Sequence, residues 1–421
     1  MNRILKYKCY LLWAVLGLLL SQLASCQPVS SPELEFWTMQ LQPQFTPYFN
    51  EVITRFEQEN QGVKVRTSDV PWAAMESKIL TAVAANTAPD VVNLNPNFAS
   101  ELAQRNAWLV IPSEVQKQYL PQIWQASTID NLSFGVPWYL TTRVTIYNQD
   151  LLAQGGIKAP PATYTELAQF AREVKEKTGK YAFFVTFVPR DSGEVLESFV
   201  QMGVQLVDDG GKAAFNTPVG VAAFQYWVDL YQQDLLPPEV LTSGHRYAIE
   251  LYQAGETALL SSGAEMLQSI ENNAPSVYKV SAAAPQITGK TGKKNVAVMN
   301  LVIPRNSDRP DEALKFALFV TNTANQLAFA QVANVLPSTV DSVQQYIQEL
   351  EAIAHPSPAE IAQKVSASQL KDAEVLIPAM KDIHVLQKII YEQLQGAMLN
   401  EKTVQQAVQD AANQWNTIVD D

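Results

Sequence analysis

The sequence predicts an α/β protein of two interleaved lobes. Three observations carry that prediction. Strand-like and helix-like hydrophobic periods alternate from residue 34 to 94, and again from 135 to 303. No Gly/Ser-rich linker separates the two stretches, so the lobes interleave and do not follow one another as beads. Removing a 25-residue leader from the 421-residue chain leaves 396 residues, more than one ordinary hydrophobic core holds.

Leu34 to Met39 alternates apolar and polar residues and reads as the first strand. Tyr48 to Asn60 is helical, with Phe49, Val52, Ile53 and Phe56 on one face. Val63 to Thr67, Met75 to Asn86 and Asp90 to Leu94 continue as strand, helix and strand. That order is the pattern of a parallel sheet with crossover helices. A strand is expected near Val144–Tyr147, then a helix over Tyr164–Lys177 with Thr163 as N-cap and Gly179 beyond its end. Tyr181–Val188 reads as an apolar strand. Asp208-Asp209-Gly210-Gly211 reads as a turn between the strands Val204–Val207 and Ala213–Phe215. Thr217-Pro218 opens a helix through Tyr231, with proline at its first position. Tyr247–Ala254 is helical, and Glu256–Leu260, Val280–Pro285 and Val296–Ile303 are strands. From Asp311 onward the chain is mostly helix, rich in Ala and Gln toward its end.

The N-terminus carries a targeting signal. Arg3, Lys6 and Lys8 form a basic head, Cys9 to Leu20 is almost wholly apolar, and Leu23-Ala24-Ser25 supplies small residues before Cys26. The apolar run is shorter than the roughly 20 residues a spanning helix needs. The Leu-Ala-Ser-Cys ending resembles the lipobox of bacterial lipoproteins. That likeness implies cleavage before Cys26, acylation of that cysteine, and a membrane anchor for an otherwise exported body. The plain alternative is an ordinary signal peptide. Cys9 and Cys26 are the two cysteines of the chain, so residues 27–421 hold no thiol for a disulfide, a zinc site or a nucleophile. The leader also takes three of the 30 basic residues. The remaining 27 face 42 acidic ones, a net charge of −15. Such a surface argues against nucleic acid, which needs basic patches, and against polybasic membrane attachment.

A series of segments resembles the family 1 extracellular solute-binding proteins, the substrate-capturing subunits of ABC sugar importers. The series begins with the strand bearing Trp37, the helix end Arg55-Phe56-Glu57-Gln58-Glu59-Asn60 and Val63-Lys64-Val65. It continues through Ala88-Pro89-Asp90-Val91-Val92, Gly135-Val136-Pro137, Tyr147-Asn148-Gln149-Asp150-Leu151 and Asp209-Gly210-Gly211-Lys212. Gly255-Glu256-Thr257-Ala258-Leu259 and Ile303-Pro304-Arg305-Asn306 complete it. The resemblance implies the two-lobed periplasmic-binding-protein fold (type II), with hinge crossings and a helical C-terminal region. Mapped onto the chain, 1–25 is the lipoprotein signal peptide and 26–32 a tether. Residues 33–142 with 284–337 form the N-lobe, and 143–283 with 338–421 the C-lobe. Crossings are expected near Thr141–Thr145, Val280–Pro285 and Leu336–Thr339. The implied function is capture of a di- or oligosaccharide or a glucoside between closing lobes, with no enzymatic step, metal or cofactor. The expected partners are that carbohydrate, the importer's permease subunits and, through Cys26, a membrane. The protein is expected to be a monomer.

A sugar cleft calls for aromatic faces and for side chains that exchange hydrogen bonds with hydroxyls. Ligands of open α/β sheets sit beyond the carboxyl ends of the strands. That rule, with the resemblance, selects Trp37, Trp72, Asn95, Trp138, Tyr139, Arg143, Glu265 and Asn300 as ligand-binding candidates. Each has a structural alternative: Asn95 as a helix cap, Arg143 as an ion-pair partner, a tryptophan as core. Trp108, Trp124, Trp227 and Trp415 are assigned to packing. A binder of glycerol phosphate esters is the alternative reading, and needs Arg143, Arg190 or His245 to converge. An exported glycan hydrolase needs a carboxylate pair, which the sequence does not select. Gly289-Lys290-Thr291 lacks the upstream Walker glycine, with Ala284 in its place. His245, His355 and His384 have no metal-type spacing.

Overall fold

The computed structural model describes residues 33–189, 191–377 and 380–420. The leader, the tether, Cys26 and Arg190 lie outside the described residues. Strand β1 (Leu34–Met39) is followed by α1 (Thr46–Glu59), β2 (Val65–Val70), α2 (Trp72–Ala84), β3 (Val91–Leu94) and α3 (Pro96–Gln104). β1 runs parallel to both β2 and β3. Helix α1 turns Phe49, Val52 and Phe56 inward, and its proline lies in the first turn, where the missing N–H has no helical partner to lose.

The second stretch starts with the 13-residue strand β4 (Val136–Asn148). Then come α4 (Tyr164–Thr178), α5 (Glu194–Gln201), α6 (Pro218–Gln232), α7 (His245–Gln253), β5 (Leu259–Gly263), α8 (Met266–Asn273), β6 (Ser281–Pro285) and β7 (Lys294–Val302). Helix α4 opens on a capping box: the Glu166 N–H donates to Thr163 Oγ1 (3.2 Å) and the Thr163 N–H to Glu166 Oε2 (3.1 Å). It ends at Gly179, whose φ of 75° suits a residue without a Cβ. The tail holds α9 (Pro310–Val320), α10 (Thr323–Ala333), β8 (Leu336–Pro337), α11 (Val340–Glu351), α12 (Pro358–Gln369), β9 (Ala373–Glu374), α13 (Ile383–Met398) and α14 (Val404–Asp420).

β4 belongs to both lobes. From Val136 to Thr142 it pairs antiparallel with β7, and from Arg143 to Asn148 with β5 and β6. The lobes therefore join within one strand, between Thr142 and Arg143. β7 in turn pairs with β3, which ties the long strand to the parallel set. β8 pairs with β4 at Tyr139 and Leu140.

Three apolar clusters follow from this layout. One fills the N-lobe around Phe36, Phe49, Trp138, Phe316 and Phe329. Another fills the C-lobe around Phe170, Phe199, Trp227, Tyr391 and Trp415. A third packs Leu140, Val296 and Val298 of the crossing strands against Leu336, Tyr346 and Leu370.

Several expectations need correction. The boundary and crossing expected near 280–285 move to Lys294. β6 still pairs with the C-lobe half of β4, and Thr291 donates its N–H to Gln201 O (3.0 Å). Residues 338–421 are not all C-lobe: α11 and α12 lie over the crossing strands, and α13 and α14 join the C-lobe core. Tyr181–Val188 forms no ladder. It is largely buried, with one isolated bridge from Tyr181 to Thr257, and its main chain bonds the start of β5 (Leu259 N–H to Ala182 O, 2.8 Å) and the turn at Val240 (Phe187 N–H to Val240 O, 2.8 Å). Apolar character alone does not distinguish such a threaded segment from a strand. The hairpin at 204–215 is reduced to a single bridge, Val207 with Ala213.

Candidate functional site

A cleft of about 810 Å³ separates the lobes, within the size range of small-ligand sites. Its floor is the crossing itself, where Thr141 of β4 pairs with Ala297 of β7. The N-lobe wall is the loop after β1, the start of α2, and Tyr139. Asp69 at the end of β2 holds that loop, accepting from Thr38 Oγ1 (2.6 Å) and the Leu41 N–H (2.9 Å). Gln40 accepts from the Trp72 N–H (3.1 Å) and so fixes the start of α2 against the loop. The indole of Trp72 is 47% exposed and rests against Phe98, ring centroids 5.6 Å apart, with the rest of its face open to the cleft.

The C-lobe wall is α8 and the residue before it. Glu265, Gln268, Ser269, Asn272 and Asn273 all line the cleft. They recur at helical spacing, so one face of a short helix presents a carboxylate, amides and a hydroxyl. Burial pushes the Glu265 carboxyl up to about 6, against its own main-chain N–H and Arg143, which favour the charged form. Burial, with Glu265 and Asp69 nearby, holds the Tyr139 phenol well above its ordinary value.

Two contacts cross the mouth. Gln44 Nε2 donates to Gln268 Oε1 (2.9 Å). His384, in the first turn of α13, lies 3.6 Å from Glu76 of α2, and its ring meets Phe98 of α3 at 6.2 Å.

Of the eight sequence candidates, Trp72, Tyr139 and Glu265 line the cleft. The other five are placed elsewhere. Trp138 is fully buried and stacks on Phe329 at 4.8 Å. The register shifts between Pro137 and Tyr139, which makes Trp138 the extra residue of a bulge and turns its indole into the N-lobe core. Trp37 is 6% exposed, donates to Glu35 Oε1 (2.9 Å), and carries the Lys78 ammonium over its ring at 4.2 Å. Asn95 caps α3, accepting from the Phe98 N–H at 2.8 Å. Arg143 grips Glu197 with Nε to Oε2 at 2.7 Å and Nη2 to Oε1 at 3.3 Å. Asn300 is buried and accepts from Ser127 Oγ at 2.6 Å. Trp108, Trp124, Trp227 and Trp415 are core, each at most 5% exposed.

Sequence reasoning missed Gln40, Gln44 and the amides of α8. The signal for α8 was present, as a polar stripe at 265, 268, 269 and 272 directly after a strand. A second groove, about 670 Å³, lies between α11 and α12 and is lined largely by apolar side chains such as Leu120, Val343, Ile347 and Leu350. Among the described residues no cluster of three or more His, Cys, Asp or Glu is placed to hold a metal, and no helix is long and apolar enough to cross a membrane.

A cleft between two α/β lobes joined by shared strands is the architecture of binding proteins, and comparison decides which kind. The profile described as bacterial extracellular solute-binding protein matches residues 42–327. The chain belongs to that family. A crystal structure from Synechococcus sp. MITs9220, given a provisional oligosaccharide periplasmic-binding assignment, is 46% identical to this binding protein. It superposes with a TM-score of 0.87 over 92% of this chain and 99% of that one. The maltodextrin-binding protein MdxE of Bacillus subtilis is 23% identical over 93% of both chains. The cyclic α-maltosyl-1,6-maltose binding protein of Arthrobacter globiformis, 20% identical, shares the fold at a TM-score of 0.78 over 92% of this chain and 99% of that one. The binding protein thus joins a family of capture subunits and not of enzymes.

Proposed function

We propose that this chain is the substrate-binding lipoprotein of an ABC-type importer and captures a di- or oligosaccharide, or a glucoside, between its lobes. One observation carries the reading: the cleft wall combines aromatic rings, amides and a single carboxylate, with no Lys, Arg or His among the described lining residues. Aromatic rings match the C–H faces of a sugar, and amides exchange hydrogen bonds with its hydroxyls. Maltodextrin, named for the Bacillus subtilis relative, is of this class.

The same wall argues against a phosphate ester. Arg143 is held by Glu197, and burial beside Arg143 pulls His245 down to about 4, so it carries no charge at neutral pH. A hydrolase would want two carboxyl groups about 5–10 Å apart, and the described lining holds only Glu265.

Capture rests on hinge closure. Both walls touch the ligand only when the lobes meet, so the ligand favours the closed form by its differential affinity. The permease subunits then receive the closed, loaded protein. The Leu23-Ala24-Ser25-Cys26 segment supports an acylated anchor, and stable attachment takes more than one acyl chain.

Thermal unfolding of the protein against a panel of maltodextrins, other oligosaccharides and polyol phosphates tests the reading. A sugar at about 100 times its Kd stabilises by about 2.7 kcal/mol. A panel in which only phosphate esters raise Tm overturns it. Cys26→Ser is expected to move the protein from the membrane to the soluble fraction with sugar binding retained. Retention in the membrane fraction refutes the anchor.

A further inference from the structure

Glu265 is seated in an unusual way. Its side chain folds back over Gly263, the last residue of β5. A Cβ at position 263 would fall 2.0 Å from Oε2 and 2.3 Å from Oε1 of that carboxylate. The absent side chain is what lets the carboxylate lie at the crossing, since Gly263 pairs with Arg143.

The charge around it does not balance. Arg143, on β4, is the cation that Glu265 feels, and it is already engaged by Glu197 of α5, with Glu194 of the same helix alongside. Asp69, at the end of β2, adds negative charge near Tyr139. Arg143 therefore faces three carboxyl groups, Glu265, Glu197 and Glu194, with Asp69 a fourth nearby, and among the described residues no side chain donates a hydrogen bond to Glu265. A half-buried carboxylate met by its own main-chain N–H and by no side-chain donor keeps lone pairs to satisfy, and a cation satisfies them best. The walls beside it are aromatic, Trp72 and Tyr139, whose ring faces also attract cations.

We propose that Glu265, seated on Gly263, makes the cleft select sugars that carry a protonated amine over their neutral counterparts. This rests on the sugar-capture reading above. The ammonium donates to the carboxylate, and the remaining hydroxyls meet the amides of α8 and the loop after β1. Gly263 is a positioning residue, and Glu265 determines specificity.

The test is calorimetric titration with matched pairs, glucose against glucosamine and cellobiose against the β-1,4-linked glucosamine dimer. The amine member is expected to bind at least tenfold tighter at pH 7. Glu265→Gln brings the two Kd values together. Gly263→Ala, which pushes the carboxylate aside but keeps it, narrows the gap as well, and thermal unfolding of both variants verifies their fold. Lowering the pH from 7 to 5 protonates a carboxyl that titrates at about 6, so amine affinity falls about tenfold while neutral-sugar affinity holds. Equal binding of both members, or a preference that survives Glu265→Gln, overturns the proposal. If neither member of either pair binds while a phosphate ester does, the sugar reading fails and takes the proposal with it.

Discussion

Replacing Arg143 with methionine isolates the cost of an unpaired buried charge at the lobe crossing. The arginine side chain is 18% exposed and that of Glu197 9%. Methionine keeps much of the apolar stem but removes both hydrogen bonds to Glu197, so a carboxylate stays buried without its cation. Breaking such a pair from one side costs about 3–5 kcal/mol, far more than an exposed pair. At about 2.1 cal/mol/K per residue, a body of this size has an unfolding entropy near 0.8 kcal/mol/K, so 4 kcal/mol lowers Tm by about 5 °C. Glu197→Gln relieves the stranded charge. The double variant Arg143→Met/Glu197→Gln is therefore expected to be more stable than Arg143→Met alone, with a coupling of about 1–3 kcal/mol. Urea unfolding followed by tryptophan fluorescence measures each corner of the cycle. A single variant that loses less than 1 kcal/mol, or two losses that simply add, refutes the argument that the pair is desolvated and mutually dependent.

Other substitutions separate cleft from core. Trp72→Ala removes a half-exposed ring, so stability changes by no more than about 0.5 kcal/mol. Sugar affinity falls three- to tenfold, as for loss of an aromatic contact, and an unchanged Kd in calorimetry refutes the stacking role. Trp138→Ala does the reverse. It empties the N-lobe core beside Phe329 and costs about 3–5 kcal/mol in urea unfolding, and a loss below 2 kcal/mol contradicts its burial. His384→Ala with Gln44→Ala removes both contacts across the mouth. Each is worth less than about 1 kcal/mol, so the pair is expected to weaken ligand binding a few-fold and to enlarge the radius of gyration in solution scattering. Unchanged scattering and affinity would show that these contacts do not favour closure.

The fold was legible wherever local chemistry agrees with the tertiary structure. Thr163 and Glu166 close a capping box from four residues of sequence, and Gly179 ends the same helix. The inward face of α1 follows from its period alone. What escaped depends on distant partners. Arg143 looks like a ligand clamp until Glu197, 54 positions later, comes to meet it. Trp138 and Tyr139 are adjacent and both aromatic, yet a bulge sends one into the core and leaves the other at the cleft, and nothing in the pair itself announces the bulge. Asn95 and Asn300 carry amides suited to a sugar, but one caps a helix and the other satisfies a buried serine. The polar face of α8 was readable, since its period is helical and its position follows a strand.

The pairing of β7 also sets the order in which the protein can be assembled. β7 lies between β3 and β4: Leu94 pairs with Asn300, and Val136 with Leu301. A chain that emerges amino end first presents β1, β2 and β3 some two hundred residues before their missing neighbour arrives. Contacts of such long sequence separation are slow to form. The C-lobe waits longer still, since α13 and α14, the last helices of the chain, complete its core. Strands β1 to β3 would thus stay without their neighbour until some two hundred further residues have been made.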